Sequence, residues 1–182
     1  MDVIDLARDL IGIPSPSGKE RNIGEFLLKR LQRGFDVKTQ NVGDRFNILA
    51  AAGTPRLVLT THMDTVPVQI ELGEDREYLY GRGACDAKGC IASMVCACEE
   101  AARNGMDGFG ILLDVGEETD FAGIREAIKL VSPEIVIVGE PTNFDVVVGQ
   151  KGLMQIRIAC RGKSAPGSTP ERGVSAINRL MD

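Results

Sequence analysis

Apolar residues return every three or four positions in the first part of the chain, which is the spacing of a helix with one buried face. Two such helices are predicted, and the segment IPSPSG between them breaks the pattern with two prolines and a glycine. The first helix carries Ile4, Ala7, Leu10 and Ile11, and the second carries Ile23, Phe26, Leu27 and Leu31 before it stops at Gly34.

Short apolar runs follow, and they indicate β-strands that alternate with segments of helical composition. The predicted strands are FDVKTQ, FNILAAA, RLVLTTH, FGILLDV and EIVIVGE, with EYLYGRG as a short extended segment, and the predicted helices are AKGCIASMVCACEEAARNG and FAGIREAIKLV. The continuous apolar run RLVLTTH favours a central strand that is covered on both faces. The alternation predicts an α/β sandwich with a largely parallel sheet.

The character of the sequence changes after Pro141. The stretch DVVVGQKGLMQIRIACRG predicts consecutive strands, and TPERGVSAINRLMD predicts a helix. We place a domain boundary near Gly149 to Gly152, which gives a first domain over residues 1–150 and a second over residues 151–182. The second has about thirty residues, and lone domains usually need roughly forty, so it is too short to close a core of its own.

Composition narrows the classes of function. The chain has 182 residues, a net charge of −5 and no cluster of Lys and Arg, which argues against a nucleic-acid or membrane-surface protein. Trp is absent and aromatic residues are only 4% of the chain, so a base-stacking platform is not expected either. No apolar stretch approaches membrane-spanning length, and the start MDVIDLARDL lacks the features of a signal peptide. A soluble cytoplasmic protein is therefore expected.

The cysteines favour reduced side chains over a disulfide framework, because their number is odd and four of them fall in one short stretch. No CxxC pair occurs, so a cysteine zinc site is not expected. Cys85 directly precedes Asp86, and two readings of it stay open: packing in the core, or lining a site. The five cysteines are Cys85, Cys90, Cys96, Cys98 and Cys160.

Acidic residues and the single histidine follow the predicted strands at the points where those strands end. In a parallel α/β sheet, ligands collect outside the carboxyl ends of the strands, so these side chains are expected to converge in one crevice. The candidates are His62 and Asp64 after LVLTT, Asp86 after YLYGRGAC, Glu117 and Glu118 after ILLDVG, and Glu140 after IVIVG.

Several carboxylates in one crevice repel one another unless cations compensate, and two divalent ions would supply the positive charge. Imidazole and carboxylate ligands suit zinc and also accept cobalt or manganese. Asp64 is placed to orient His62, and one residue of the pair Glu117–Glu118 can ligate while its neighbour acts as general base. A structural histidine, a solvated glutamate pair and a Glu140–Pro141 turn remain the simpler alternatives.

The motifs HMDTVP, YGRGACDAKG, DVGEET and GEPT, in this order and spacing, resemble those of the co-catalytic metallopeptidase and aminoacylase family. This family includes aminoacylases, glutamate-type carboxypeptidases, acetylornithine deacetylase and succinyl-diaminopimelate desuccinylase. The resemblance runs over essentially the whole chain, from LARDLIGIPSPSGKE onward. It implies two divalent ions, zinc or cobalt, with one or two bound here. It also implies that His62 and Glu140 bind the first metal, Asp86 bridges both, Glu118 binds the second, Glu117 is the general base and Asp64 orients His62.

The resemblance implies hydrolysis of the amide bond of a small-molecule N-acyl amino acid by metal-activated water. The segments FNILA and GEPTNFDVVVGQKG look most like acetylornithine deacetylases, so an enzyme of that type, acting in amino-acid biosynthesis, is expected. A dipeptidase or carboxypeptidase of the same family is the alternative. The family's inserted α+β domain serves as lid and dimerisation domain, so a homodimer or self-association through residues 151–182 is expected.

Two departures from the family pattern bear on activity. The family chain is about twice as long, so this sequence is expected to be its N-terminal half, without the histidine that completes the second metal site. Pro166 stands where the family has a histidine that holds the substrate's reacting carbonyl oxygen. Loss of one such donor typically lowers the rate by about 10²–10³. A non-catalytic remnant that binds one metal through His62, Asp86 and Glu140 is therefore the other hypothesis, and an unpaired sheet edge with exposed apolar surface is expected to cause self-association.

Overall fold

The computed structural model describes residues 2–181, and it divides into two units between Asp145 and Val146. Within the described residues no helix is both long and apolar enough to cross a membrane. The helices of the first unit are α1 (Val3–Ile11), α2 (Arg21–Leu31), α3 (Cys90–Arg103) and α4 (Ala122–Ala127). Its strands are β1 (Asp36–Val42), β2 (Arg45–Ala52), β3 (Leu57–His62), β4 (Gly73–Glu74), β5 (Leu79–Tyr80), β6 (Phe109–Asp114) and β7 (Ile135–Val138).

Five strands form the main sheet in the order β1-β2-β6-β3-β7, and β4 pairs with β5 in a separate hairpin. β3 runs parallel to both β6 and β7, whereas β2 is antiparallel to β1 and β6. The α/β prediction is confirmed, but the sheet is mixed because only Gly43 and Asp44 separate β1 from β2. A two-residue connection can join only antiparallel strands, and Gly43 adopts the positive φ of 64° that this tight turn requires.

Helices cover both faces of the middle of the sheet. On one face, α1, α2 and α3 pack on a core that includes Ile48, Ile111 and Leu113. On the opposite face, the α4 region packs on Leu49, Val58 and Leu112. β3 lies inside the sheet as RLVLTTH predicted, and every residue of β6 is buried.

β7 is different, because it forms one edge of the sheet and all four of its apolar side chains are exposed. The sequence EIVIVGE correctly predicts a strand here. The expected apolar edge is therefore present, and it is formed by β7.

The second unit differs from its prediction. Among residues 146–162, where DVVVGQKGLMQIRIACRG predicted consecutive strands, the structure has none, so that prediction is wrong. The apolar side chains there are exposed, and a strand without a packed face or a partner sheet is not stable in water. The predicted C-terminal helix is shorter than TPERGVSAINRLMD, since Pro170–Arg172 forms only a 3₁₀ turn and α5 spans Ala176–Met181. Asp182, the last residue of that prediction, lies outside the described residues.

Candidate metal centre

The candidate site lies at the carboxyl ends of β3, β6 and β7, where the parallel part of the sheet brings three strand ends together. His62 is the last residue of β3, and it pairs in register with Asp114, the last residue of β6. Glu117 and Glu118 lie in the loop after β6, and Glu140 follows β7. All the predicted site residues belong to the first unit.

His62 is almost completely buried, with 2% of its surface exposed. Its Nε2 lies 2.9 Å from Asp86 Oδ1, and its Nδ1 lies 2.9 Å from the backbone carbonyl oxygen of Asp64. Burial disfavours the charged ring, but the carboxylates of Asp64, Asp86 and Glu140 outweigh it and raise the pKa of His62 to about 10. Without a metal, the imidazole is therefore held as a cation among carboxylates.

Asp64 accepts hydrogen bonds from two other parts of the chain. Its Oδ1 accepts from the backbone N–H groups of Gly116 and Glu117, both at 3.0 Å. Its Oδ2 accepts from the Ser17 hydroxyl at 2.6 Å and from the Glu118 N–H at 3.2 Å. Burial alone would raise the pKa of Asp64, but its bonds with His62 and Ser17 and the imidazolium charge hold that pKa below its ordinary value.

The nearer acceptor for His62 is the Asp64 carbonyl, since the Asp64 carboxylate lies 3.4 Å from Nδ1. The carboxylate itself is directed mainly at the loop that carries Glu117 and Glu118. Asp64 therefore links the end of β3 to that loop, a contact that the sequence pattern gave no reason to expect.

Asp86 lies in the turn Ala84–Gly89, where its own backbone is extended (φ −121°, ψ 103°), and its side chain is half exposed. Gly83 begins this turn with a φ of 80°. A Cβ atom at Gly83 would lie 2.8 Å from Thr65 Cγ2, so only glycine lets the turn approach the loop after β3. This close approach brings Asp86 within hydrogen-bond distance of His62.

Three side chains could hold a metal ion together. One ligand atom from each of His62, Asp86 and Glu140 lies within 4.8 Å of the other two. Within residues 2–181 this group does not include Glu118, which instead lines a cleft of about 340 Å³ with Asp86. Cys85 is exposed and lines the same cleft, so it does not pack in the core.

The electrostatics of this group fit a divalent cation. Burial raises the pKa values of Glu118 and Glu140, and the neighbouring carboxylates raise them further, although the charge of His62 opposes the effect. The single imidazolium therefore does not compensate the negative charge gathered here. One imidazole and two carboxylates are ligands that zinc, cobalt and manganese accept, so the residues present fit such an ion.

Sequence reasoning missed Asp114, which is 6% exposed at the end of β6. Burial, together with the charges of Asp64, Glu117 and Glu140, raises the pKa of Asp114 to about 7, and the charge of His62 opposes this rise. The available signal was an acidic residue at the end of the apolar run FGILLDV, since a carboxylate is seldom buried without a reason.

Sequence reasoning also missed Lys88, which is 1% exposed although lysine is usually solvated. Its Nζ donates to the backbone carbonyl of Ile13 at 2.7 Å, and burial lowers the pKa of Lys88 to about 8. Its position two residues after Asp86 was the available signal.

Pro166, in the second unit, has a backbone carbonyl that accepts from the Thr169 N–H at 2.9 Å.

Comparison with known sequences finds a matching family model and several similar proteins. A family model described as Peptidase family M20/M25/M40 matches residues 58–181. A protein of Talaromyces marneffei named "Probable carboxypeptidase" is 34% identical over 214 residues, covering 98% of this chain and 48% of its own length. A Schizosaccharomyces pombe protein named as containing a peptidase M20 domain is 33% identical, covering 99% of this chain and 48% of its own length. The chain thus spans about half the length of the curated relatives it matches.

Solved structures share the fold. A tripeptidase from Staphylococcus aureus superposes with a TM-score of 0.69 and 24% identity, over 98% of this chain and 54% of its own. Human carnosine dipeptidase 1 superposes with a TM-score of 0.64 and 19% identity, over 76% of this chain and 38% of its own. At these identities the likeness concerns the fold alone.

Proposed function

The chain belongs to the peptidase family M20/M25/M40, and from this premise we propose that it carries the metal-binding part of a carboxypeptidase-type amide hydrolase. The observation that carries the proposal is the meeting of His62, Asp86 and Glu140 at the strand ends. The relatives support peptide hydrolysis over the deacetylation of acetylornithine, since they are named as carboxypeptidases. The substrate class is a small peptide with a free carboxylate.

In this proposal His62, Asp86 and Glu140 would hold the first ion, and Asp86 and Glu118, which line one cleft, would hold a second. Zinc, cobalt and manganese all suit these ligands. A bound ion would polarise the scissile carbonyl and lower the pKa of the attacking water.

The chain's own residues have separate tasks in this proposal. Glu117 accepts the proton of the attacking water and returns it to the nitrogen of the departing amine. The Asp64 carboxylate keeps Glu117 in place by accepting a hydrogen bond from its backbone N–H. The backbone carbonyl oxygen of Asp64 accepts a hydrogen bond from the His62 ring. Lys88 and Asp114 are buried, and the proposed mechanism gives them no role in proton transfer.

The assay that tests this proposal compares three substrates: an N-blocked dipeptide with a free carboxylate, an unblocked dipeptide, and N-acetylornithine. We expect the purified chain, loaded with Co²⁺, Mn²⁺ or Zn²⁺, to release the C-terminal amino acid of the blocked dipeptide fastest. A chelator should stop the release and added metal should restore it. Preferential cleavage of N-acetylornithine would support a deacetylase instead.

A matched pair of variants tests the role of Glu117. Glu117→Gln should lower kcat by about 10²–10⁴ while bound metal is retained. Glu100→Gln, at an exposed glutamate near the C-terminal end of α3, should keep full activity. Equal rates in the two variants would remove Glu117 from the mechanism.

A non-catalytic metal-binding protein is the second candidate, and a specific observation favours it: across residues 2–181 the ligand atoms form one three-residue group that excludes Glu118. It predicts one ion per chain and no turnover of any of the three substrates. Metal analysis of the purified chain, run beside the amine-release assay, separates the two candidates.

The predicted homodimer through residues 151–182 belongs to this proposal as well. Apolar side chains are exposed along that part of the chain, among them Leu153, Ile156 and Ile158. Light scattering on the purified chain is the test, and a monomer at all concentrations would contradict it.

A further inference from the structure

Residues 13–17 lie beside the loop after β3. They contain most of the Pro-rich motif IPSPSG. Pro16 and Thr65 form a parallel bridge. The Thr65 N–H donates to the Ser15 carbonyl at 3.0 Å, and the Ser17 N–H donates to the Thr65 carbonyl at 3.1 Å. We call residues 13–17 the N-terminal strap.

The strap contacts two of the segments that carry metal-ligand candidates. At its C-terminal end, the Ser17 hydroxyl donates to Asp64 Oδ2 at 2.6 Å, and Asp64 lies two residues after His62. At its N-terminal end, the Ile13 carbonyl accepts from Lys88 Nζ at 2.7 Å, and Lys88 lies two residues after Asp86. Five residues of backbone thus connect the segment of His62 to the segment of Asp86.

The Ser17 bond has a special position among these contacts. Asp64 is fully buried, and three backbone N–H groups from one loop, residues 116–118, donate to its carboxylate. The Ser17 hydroxyl donates to Oδ2 of the same carboxylate from a different part of the chain, the N-terminal strap. Without this bond, the Asp64 carboxylate would still be held by the loop that carries Glu117. It would, however, be free to shift relative to His62.

We propose that Ser17 is a positioning residue of the metal centre. Through its bond to Asp64, it keeps His62 and the loop that carries Glu117 in a fixed position relative to each other. This inference rests on the proposed metal site. It adds to that site a serine that precedes Asp64 by 47 positions in the sequence. Groups that hold a metal ligand in place typically affect metal affinity by about 10–100-fold. Ser17 acts one bond farther away, so an effect near the lower end, about tenfold, is expected.

The chain offers a matched control in the same strap. Ser15 is fully buried, and within residues 2–181 its hydroxyl has no hydrogen-bond partner. Ser15→Ala and Ser17→Ala therefore remove the same atom from neighbouring positions, but only the second breaks a bond to Asp64. Ser17→Thr keeps the hydroxyl and serves as the rescue variant.

The first measurement is a Co²⁺ titration of the wild type and the three variants, followed by visible absorption. We expect Ser17→Ala to weaken Co²⁺ binding about tenfold, Ser15→Ala to match the wild type, and Ser17→Thr to recover most of the affinity. Unchanged affinity in Ser17→Ala, or an equal loss in Ser15→Ala, would overturn the inference. Failure of the wild type to bind Co²⁺ would instead contradict the proposed function.

The second measurement needs neither metal nor activity. His62 is the only histidine, so its imidazole gives a single set of ring resonances in NMR spectra of the metal-free chain. Ser17→Ala should shift these resonances and Ser15→Ala should leave them in place. Unmoved His62 resonances in Ser17→Ala would contradict the coupling from Ser17 through Asp64.

Discussion

β6 and β7 flank the same central strand, and their surroundings are opposite. Both are short apolar runs that run parallel to β3, and Leu59 of β3 pairs in register with Ile111 on one side and Ile137 on the other. Ile111 is completely buried, whereas Ile137 is 49% exposed. An apolar run therefore predicts a strand, but its burial depends on which other elements cover it.

The same contrast extends to the metal centre. On the β3 and β6 side, His62, Asp64 and Asp114 are buried, and the side chains of His62 and Asp64 are hydrogen-bonded without a metal. Glu140, after β7, is only partly buried. The side of the site at β3 and β6 is thus preformed by packing. The other side is formed by Glu140, which follows an edge strand.

The largest expected effect compares the two isoleucines beside Leu59. Ile111→Ala should destabilise the chain by about 4 kcal/mol, because it removes buried methyl groups and leaves a cavity. Ile137→Ala should cost less than about 1 kcal/mol, since its side chain is half in water already. Urea unfolding of both variants provides the values, and similar losses would mean that β7 is covered in solution.

The next effect separates stability from metal binding. Asp64→Asn should destabilise the chain by about 2 kcal/mol, because its amide cannot accept from all the buried N–H donors that face it. Glu140→Gln should change stability by less than about 1 kcal/mol and still weaken metal binding. Unfolding curves and Co²⁺ titrations on both variants test this, and a loss of stability that is larger in Glu140→Gln would reverse our picture of the two sides.

A smaller effect concerns pH in the metal-free chain. The pKa of His62 is about 10 in the folded chain, against an ordinary 6.5, so the folded state holds the proton more tightly. Its contribution to stability is complete below pH 6.5 and is lost as pH rises toward 10. The pKa of Asp114, raised to about 7, acts in the same direction up to pH 7.

The informative window for this effect is pH 6.5–8, because above it the titration of Lys88 opposes the trend. The pKa of Lys88 is lowered to about 8, so loss of its proton restores stability from pH 8 upward. Between pH 6.5 and 8 we expect the unfolding midpoint in chelator to fall. Added Mn²⁺ should reduce the fall, since a metal replaces the proton on His62, and a midpoint that rises in chelator would contradict the pKa of His62.

The smallest effect is a difference in rate. Cys98 lies under the sheet and is 3% exposed, and burial raises the pKa of its thiol to about 11, whereas Cys85 is exposed in the cleft. A thiol-specific reagent at neutral pH should label Cys85 rapidly and Cys98 only when the chain unfolds. Equal labelling rates, measured by mass spectrometry of the peptides, would show that α3 does not stay packed on the sheet.

Local patterns in the sequence predicted the type of most elements in the first unit, and they correctly placed His62, Glu117, Glu118 and Glu140 at or after the ends of strands of the main sheet. Asp86 was predicted to follow a strand in the same way, but it lies in the turn Ala84–Gly89, after the separate hairpin of β4 and β5. Hydrophobic periodicity and turn residues are local properties, so they can be read without the fold. They failed over residues 146–162, where apolar runs have no sheet to join.

Which strands are covered, and which donors surround each carboxylate, depends on contacts between elements that are distant in sequence. The burial of Ile111 and the exposure of Ile137, on either side of Leu59, depend on helices distant in sequence. The bonds from Ser17 and Gly116 to Asp64 join residues 47 and 52 positions apart. Contacts of this kind leave no periodic trace in the sequence, because they depend on how separate elements pack and not on the spacing within one element.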